Sequence, residues 1–483
     1  MGAFYYAHIR PLDGDEGYYI TAARLVWEGK VPYKDFSFPQ GIVTPYAYSW
    51  VWSIHPRSLV AMRFLSAGCG SLAAFLWGSW LLSVRRISAA VALAAFAVVL
   101  LHPYWLWWNV AVKTFALANL LMSIALICLY GALQSGRIPW YVVAGIALGL
   151  CASTRSLYAP LVPFVFFWLL HVEWRSSRRS FSRSIAYLAG AACGSLPMLI
   201  SFLSDPGAFV FNNVRYRSLL SPHVSFRHSL HVYLDNLVSL LHHTYFVATI
   251  FLALVGIFSL LKSRAKDESS CNHPDYLFSQ LSFLMLLVYC ATASIPFPVF
   301  DQYFTSPLLP FLMVFIAEGL RAGFDYNKKT LVVLVIAPIL FLYGLNREAA
   351  EYASAPNLQL SSFQRVTETL KANSRPEDVV LSIWPGYVFE SGRQCFPGSE
   401  NQFNYDIASK ITPEERKRYH LLSKEGVLDA VSESKADVYI SSASKYYLDV
   451  LMSPSELEAM RAALDAKYSV VGKFDGVEVY KRR

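Results

Sequence analysis

Two adjacent acidic residues, Asp15 and Glu16, stand in the segment Asp13-Gly14-Asp15-Glu16-Gly17-Tyr18-Tyr19, just ahead of a helical stretch at Tyr18–Trp27. A further carboxylate, Asp35, follows that stretch. Carboxylates converging at a membrane surface can act as a general base or hold a divalent cation. Crowding like charges raises one of their pKa values towards neutrality. The competing reading is that Asp15 and Glu16 only cap the helix they precede, where negative charge meets the positive end of the helix dipole. Spacing leaves both readings open.

Basic residues could serve the opposite role and bind an anion. Arg155 stands between two apolar runs, where a charge is costly and marks function unless the side chain reaches an interface. An anion at the bilayer edge could pair with such a guanidinium. Arg215, Arg217 and Arg227 lie in one long polar loop, as anion ligands or as solvated or lipid-headgroup contacts. His228, His231 and Asp235 could share a helix face, but they lack a fixed fourth ligand for zinc. His242 and His243 read as interfacial. No phosphate-cradling glycine loop, Cys-x-x-Cys pair or nucleophile elbow occurs.

The elements that must position these groups are membrane helices. Of 483 residues, 55% are hydrophobic and 16% charged, against about 25% charged in soluble domains. Apolar runs near 59–83, 88–102, 113–134, 140–153, 157–172, 184–204, 243–261, 277–296, 304–320 and 330–345 have the length a bilayer core demands. The break around Ser153–Ser156 predicts a broken or re-entrant helix. Ile42–Ile54 is apolar but short and contains Pro45, so it reads as a helix lying in the interface. Residues 1–9 resemble the tail of a span, so a further helix is expected ahead of them. In all, about 10–11 transmembrane helices are expected in residues 1–346.

Arg85–Arg86, Arg137, the 175–183 stretch, Lys262–Lys266 and 321–329 alternate to one side, which the positive-inside rule makes cytoplasmic. The loops 10–57, 205–242 and 297–303 and the region 347–483 are then non-cytoplasmic, in a multi-pass cell (inner) membrane protein. The net charge of +8 thus reflects topology, and nucleic acid is not an expected partner. Residues 347–483 are richer in charge and alternate strand-like runs (379–384, 437–441, 468–473, 477–480) with helical ones (361–372, 425–434, 454–464), which predicts a small α/β soluble domain. Gly145/Gly149 and Gly190/Gly194 read as helix-packing points. Five of the seven cysteines fall in apolar runs and read as small apolar residues, and Cys395 is alone in the terminal domain.

The loop pattern Asp15-Glu16-Gly17-Tyr18-Tyr19, then Ala23-Arg24, then Gly29-Lys30-Val31-Pro32-Tyr33-Lys34-Asp35-Phe36 and Pro39, resembles the first external loop of GT-C-type glycosyltransferases. The branch is the bacterial one related to protein O-mannosyltransferases and the lipid A aminoarabinose transferase. Gly145–Gly149 with Ser153-Thr154-Arg155 is similar to a mid-chain segment of that family. Asp301-Gln302-Tyr303-Phe304 with Pro307 and Pro310 resembles its late loop-to-span junction. The resemblance implies a sugar donor carried on a polyprenyl phosphate, an external site, inversion by single displacement, and a lipid, protein or polysaccharide acceptor. It makes Asp15 the candidate catalytic base with Glu16 its competitor, and Asp35 a second acidic position that could hold a divalent metal ion together with Asp15. Arg155, Arg215, Arg217, Lys34 and Tyr303 are the candidates for substrate contact. After Asp35 this chain has Ser37-Phe38-Pro39-Gln40-Gly41 in place of the Lys-Pro-Pro-Leu run of aminoarabinose transferases, so donor identity and metal use stay open. The alternative class is a transporter or flippase of lipid-linked or small polar substrates, which would place ionisable groups in mid-membrane and often show repeated halves.

Overall fold

A computed structural model describes residues 2–84, 87–175, 180–220, 244–266, 273–294, 301–326, 358–441 and 452–483, with 231, 234, 235 and 238. The expected span at 330–345, Arg85–Arg86, Arg227, His228, His242–His243 and Cys271 lie outside the described residues. The first ten helices are α1 Gly2–Ile9, α2 Glu16–Trp27, α3 Val43–Ile54, α4 Leu59–Ser83, α5 Ala89–Leu100, α6 Pro103–Val110, α7 Thr114–Ser135, α8 Ile138–Thr154, α9 Leu161–Arg175 and α10 Ser182–Ser204. Thr244–Lys266, Pro274–Ser294 and Leu309–Tyr326 continue the bundle.

Among the described residues six helical stretches are long and apolar enough to cross a membrane, or seven if the bent pair α5–α6 counts as one span. The chain is a multi-pass membrane protein. α8, an apolar helix of 17 residues, falls just short of the length of those six stretches. The run expected as a span at 88–102 holds the 12-residue α5, beyond which the chain turns by 56° into α6. Pro103 explains the break: it has no amide hydrogen to continue the ladder, and its ring clashes with the preceding turn. The expected break near Ser153–Ser156 is present. α8 stops at Thr154, Arg155 is extended, and a short 3₁₀ turn at Ser156–Tyr158 leads towards α9. α3 has 12 residues, a length of about 18 Å, too short for a bilayer core.

Backbones approach closely where glycines allow it. A Cβ on Gly145 or Gly190 would come within 2.2 Å of a carbonyl oxygen on the facing helix, so the glycine pairs of α8 and α10 are packing points. Gly256 and Gly319 make the same kind of approach between Thr244–Lys266 and Leu309–Tyr326.

The terminal region carries a mixed five-stranded sheet in the order β2-β1-β3-β5-β4, with β1 Val379–Ser382, β2 Gln394–Cys395, β3 Val438–Ile440, β4 Tyr468–Phe474 and β5 Val477–Arg482. β1 runs parallel to β2 and β3, while β5 is antiparallel to β3 and β4. Ser453 and Glu456 form a capping box at the start of the helix Pro454–Lys467. The sheet domain shares one apolar core with the 10–57 loop: Tyr18, Tyr19 and Phe38 pack in the same cluster as Trp384, Tyr387 and Phe389. Arg24 of α2 donates to the Arg393 carbonyl at 2.6 Å, and the Leu59 amide donates to Glu390 at 2.8 Å.

At the root of the loop is a fully buried ion network. Arg63 of α4 makes a bidentate contact with Glu16, at 2.9 Å and 2.6 Å, and Arg10 reaches the same carboxylate at 3.4 Å. The amides of Asp13 and Val112 donate to it at 2.9 Å and 3.0 Å. Removing one partner of such a pair leaves buried charge uncompensated. Glu16→Ala is therefore expected to lower stability by about 3–5 kcal/mol, checked by thermal unfolding of the purified protein in detergent; an unchanged melting temperature would refute this role.

Candidate active site

Asp13 and Asp15 converge on one cation that the sequence reading passed over. Lys113, at the start of α7, places its ammonium 2.8 Å from a carboxylate oxygen of each. The Asp15 amide donates to Asp13 at 2.9 Å, closing a tight turn. Asp15 holds the N-cap position of α2, but its side chain makes no capping hydrogen bond. It turns to Lys113 instead, so capping does not account for it. The Asp15 side chain is 29% exposed, against 11% for Asp13.

The environments push the two carboxyls apart. Burial drives Asp15 above the ordinary carboxylate range, the charge of Asp13 adds to that, and Lys113 opposes it. Asp13 feels burial too, but Lys113 and Arg10 outweigh it and hold this group low. Paired groups with divergent proton affinities are the arrangement acid–base chemistry uses. Glu16 does not compete for that role. Burial acts on it, but Arg63 and Arg10 hold it below its usual range, and its side chain has no exposure to meet a substrate.

Arg155 enters from the break between α8 and α9. It is buried, donates to the Thr114 hydroxyl at 2.7 Å, and lies over the rings of Phe115 and Tyr303 at 4.3 Å and 4.8 Å. Its Nε has no hydrogen-bond partner and it forms no ion pair among the described residues. Its charge is felt at Asp15. A buried guanidinium with an unpaired Nε–H carries charge that an anion could meet. Arg217 donates to the Tyr303 hydroxyl at 3.4 Å, and Lys113 to the Gln302 side chain at 3.3 Å, so the late junction motif joins the same site.

The remaining candidates lie elsewhere. Arg215 pairs with Glu415 of the sheet domain, so it ties that domain to the 205–220 segment and is not at the carboxylate turn. Asp35 lies beyond the far end of α2, accepting from the Val31 amide at 2.7 Å. Lys34 is exposed beside it, with its carbonyl 2.7 Å from a His420 ring nitrogen. α2 separates both from Asp15, so Asp15 and Asp35 do not form a metal pair. Among the described residues no three His, Cys, Asp or Glu side chains are placed to share a metal ion. His231 and Asp235 pair at 2.7 Å on an exposed helical turn.

The sheet domain reaches the site through one backbone group. The Gly14 carbonyl, between Asp13 and Asp15, accepts from Trp384 Nε1 and from Gln402 Nε2, each at 2.8 Å. A Cβ on Gly17 would lie 2.5 Å from the Trp384 indole nitrogen, so glycine there lets the domain close on α2. Only Lys113 left a sequence signal, as a lone lysine at the start of an apolar run. Trp384 and Gln402 left none.

The family described as dolichyl-phosphate-mannose-protein mannosyltransferase matches residues 39–203, a segment that includes Lys113 and Arg155 but stops short of Asp15. ArnT from Cupriavidus metallidurans bound to undecaprenyl phosphate superposes with a TM-score of 0.68 at 12% identity, covering 99% of this chain and 96% of that one. The fold is of the GT-C type. The apo form of the same ArnT gives a TM-score of 0.66 at 12% identity, with 99% and 95% covered. An Archaeoglobus fulgidus oligosaccharyltransferase in complex with zinc and sulfate gives 0.48 at 14%, with 98% and 70% covered. No curated protein matches the sequence. Within this GT-C-type fold the membrane bundle and the trailing sheet domain are both part of the likeness, since nearly the whole chain is covered.

The charge arrangement at Lys113 makes a measurable expectation. Because Lys113 lowers the Asp15 pKa, Lys113→Met should move protonation of Asp15 to higher pH. Infrared titration of the carboxyl band, with Asp15→Asn to assign it, checks the direction; a shift to lower pH would contradict the geometry.

Proposed function

We propose that the chain is a glycosyltransferase that moves a sugar from a polyprenyl-phosphate donor to an acceptor hydroxyl at the non-cytoplasmic face of the membrane. The carrying observation is a partly exposed carboxylate of raised proton affinity, Asp15, beside a buried guanidinium with open donors, Arg155. The matched mannosyltransferase family and the GT-C-type fold support the lipid-linked donor, as does the undecaprenyl phosphate bound by the Cupriavidus ArnT. The positive-inside reading of the loops supports the face.

In this reading Asp15 takes the proton of the acceptor hydroxyl, and the oxygen attacks the anomeric carbon. The bond from that carbon to the phosphate oxygen breaks, and the phosphate leaves with the electron pair. One displacement inverts the anomeric centre. Charge grows on the leaving phosphate, so fixed cations that need no rearrangement lower the barrier. Arg155 and Lys113 supply that charge, and Arg217 with Tyr303 border the same space. Asp13 stays ionised and holds Lys113 in place.

A positioned base contributes about 10²–10⁴-fold to rate, so Asp15→Asn is expected to lose transfer by that factor in proteoliposomes supplied with a polyprenyl-phosphate sugar, with insertion unchanged. Transfer by the unaltered protein should fall as pH drops through the raised Asp15 pKa, because the base works only when deprotonated. Full activity in Asp15→Asn would end the assignment.

A further inference from the structure

The proposed chemistry occupies the start of α2; the last turns of the same helix border a separate cavity. A space of about 850 Å³ lies between α2 and the sheet domain, within the size range of small-molecule sites. Thr21, Arg24 and Glu28 form one side, and Glu400, Lys417 and His420 the other. Asp13, Asp15, Lys113 and Arg155 do not line it.

Four basic and three acidic side chains line it, and part of that charge is met within the walls. Arg24 pairs with Glu28 at 2.6 Å, and Arg416 is spent on the Ala408 carbonyl at 2.7 Å and on Ser423. Lys30 and Lys417 then face the site as exposed ammonium groups, against Asp35 and Glu400. Glu400 is the unusual member. Its Oε2 is closed to solvent without a hydrogen-bond partner among the described residues, and burial pushes the acid up to about 7, opposed by its own backbone amide, by Lys30 and by the Gly398 amide. A closed-off, unpaired carboxyl oxygen costs stability, and Glu400 lines the cavity, so a small rotation of its side chain towards a bound hydroxyl would recover that cost.

These walls select against most ligand classes. A strongly anionic ligand would meet Glu28, Asp35 and Glu400. A cation would meet Lys30 and Lys417, and an apolar ligand would strand all of these charges. A polyhydroxylated molecule offers donors to the carboxyls and acceptors to the ammonium groups at once. We infer that this cavity, framed by α2 and by Glu400 and Lys417 of the sheet domain, is a binding subsite for a neutral oligosaccharide segment of the acceptor. That the saccharide belongs to an acceptor rests on the proposed glycosyl transfer; the binding itself does not. The chain also links the cavity to the chemistry. Glu400 is two residues from Gln402, whose amide holds the Gly14 carbonyl between the catalytic-turn carboxylates at 2.8 Å.

The test uses the full chain in lipid nanodiscs with three soluble probes of different linkage: maltotetraose, cellotetraose and tetra-N-acetylchitotetraose. Saturation-transfer NMR reads binding, and hydrogen exchange over residues 392–402 reads location. At least one probe is expected to bind at millimolar concentration and protect that segment. Glu400→Leu and Lys417→Ala should each weaken it about tenfold, the loss of one hydrogen-bonding partner. Glu400→Gln, which keeps a hydrogen-bonding side chain, should bind more tightly than Glu400→Leu; unchanged melting temperatures show that the variants fold. No binding by any of the three, protection by inorganic phosphate in their place, or binding indifferent to both Leu and Ala variants overturns the subsite. Because transfer is not measured, Asp15→Asn should bind saccharide normally, and failure of either proposal leaves the other standing.

Discussion

Burying a carboxylate is tolerable only when its charge and lone pairs are fully met, and Glu16 meets that condition at the mouth of the helix bundle. Arg63 from α4, Arg10 from the preceding segment and two backbone amides close around it. The consequence is geometric. The amide of Asp13 is held by Glu16, and Val112, one residue before Lys113, is held by the same carboxylate. Both sides of the Asp13–Lys113–Asp15 contact are thereby anchored to one buried point. The residue that is chemically inert in the site is the one that sets its dimensions.

The second restraint comes from the opposite direction. The sheet domain grips the turn through Gly14 and lies against α2 through a shared apolar core. The turn is therefore held from the bundle below and from the domain above, while the Asp15 carboxylate stays partly open. Rigid placement of a charged group with limited hydration is what allows its proton affinity to depart from the value in water. It also spares the site from reorganising as charge develops.

Some of this was legible in residue order. Runs of apolar residues between basic loops announced the bundle, glycine spacing announced the close helix approaches, and the Ser453–Glu456 pair marked a helix start that the structure has. The acidic loop and Arg155 stood out because charge beside apolar sequence is costly. Other parts were opaque for stated reasons. Asp35 looked equivalent to Asp15 because both are loop carboxylates, yet α2 holds them apart. Asp15 and Glu16 are neighbours in sequence but diverge in fate, since one side chain enters the Arg63 pocket and the other reaches Lys113. The helix in the run 88–102 ends at Leu100 and the chain bends beyond it, because Pro103 cannot continue its hydrogen-bond ladder. Arg215 and Arg217 differ only in which way the short segment turns them, towards Glu415 or towards Tyr303.

What the order of residues determined alone is what depends on short range and on solvent: which stretches prefer lipid, where helices start, and which loop concentrates acid. Those properties follow from local propensity and transfer free energy. Only tertiary structure decided which carboxylate is paired away, which lysine lies between the other two, and that a sheet domain more than 350 residues downstream closes over residue 14. Proton affinity and ligand geometry depend on charges and dipoles brought together through space, and contacts at such separations exist only once the whole chain has packed.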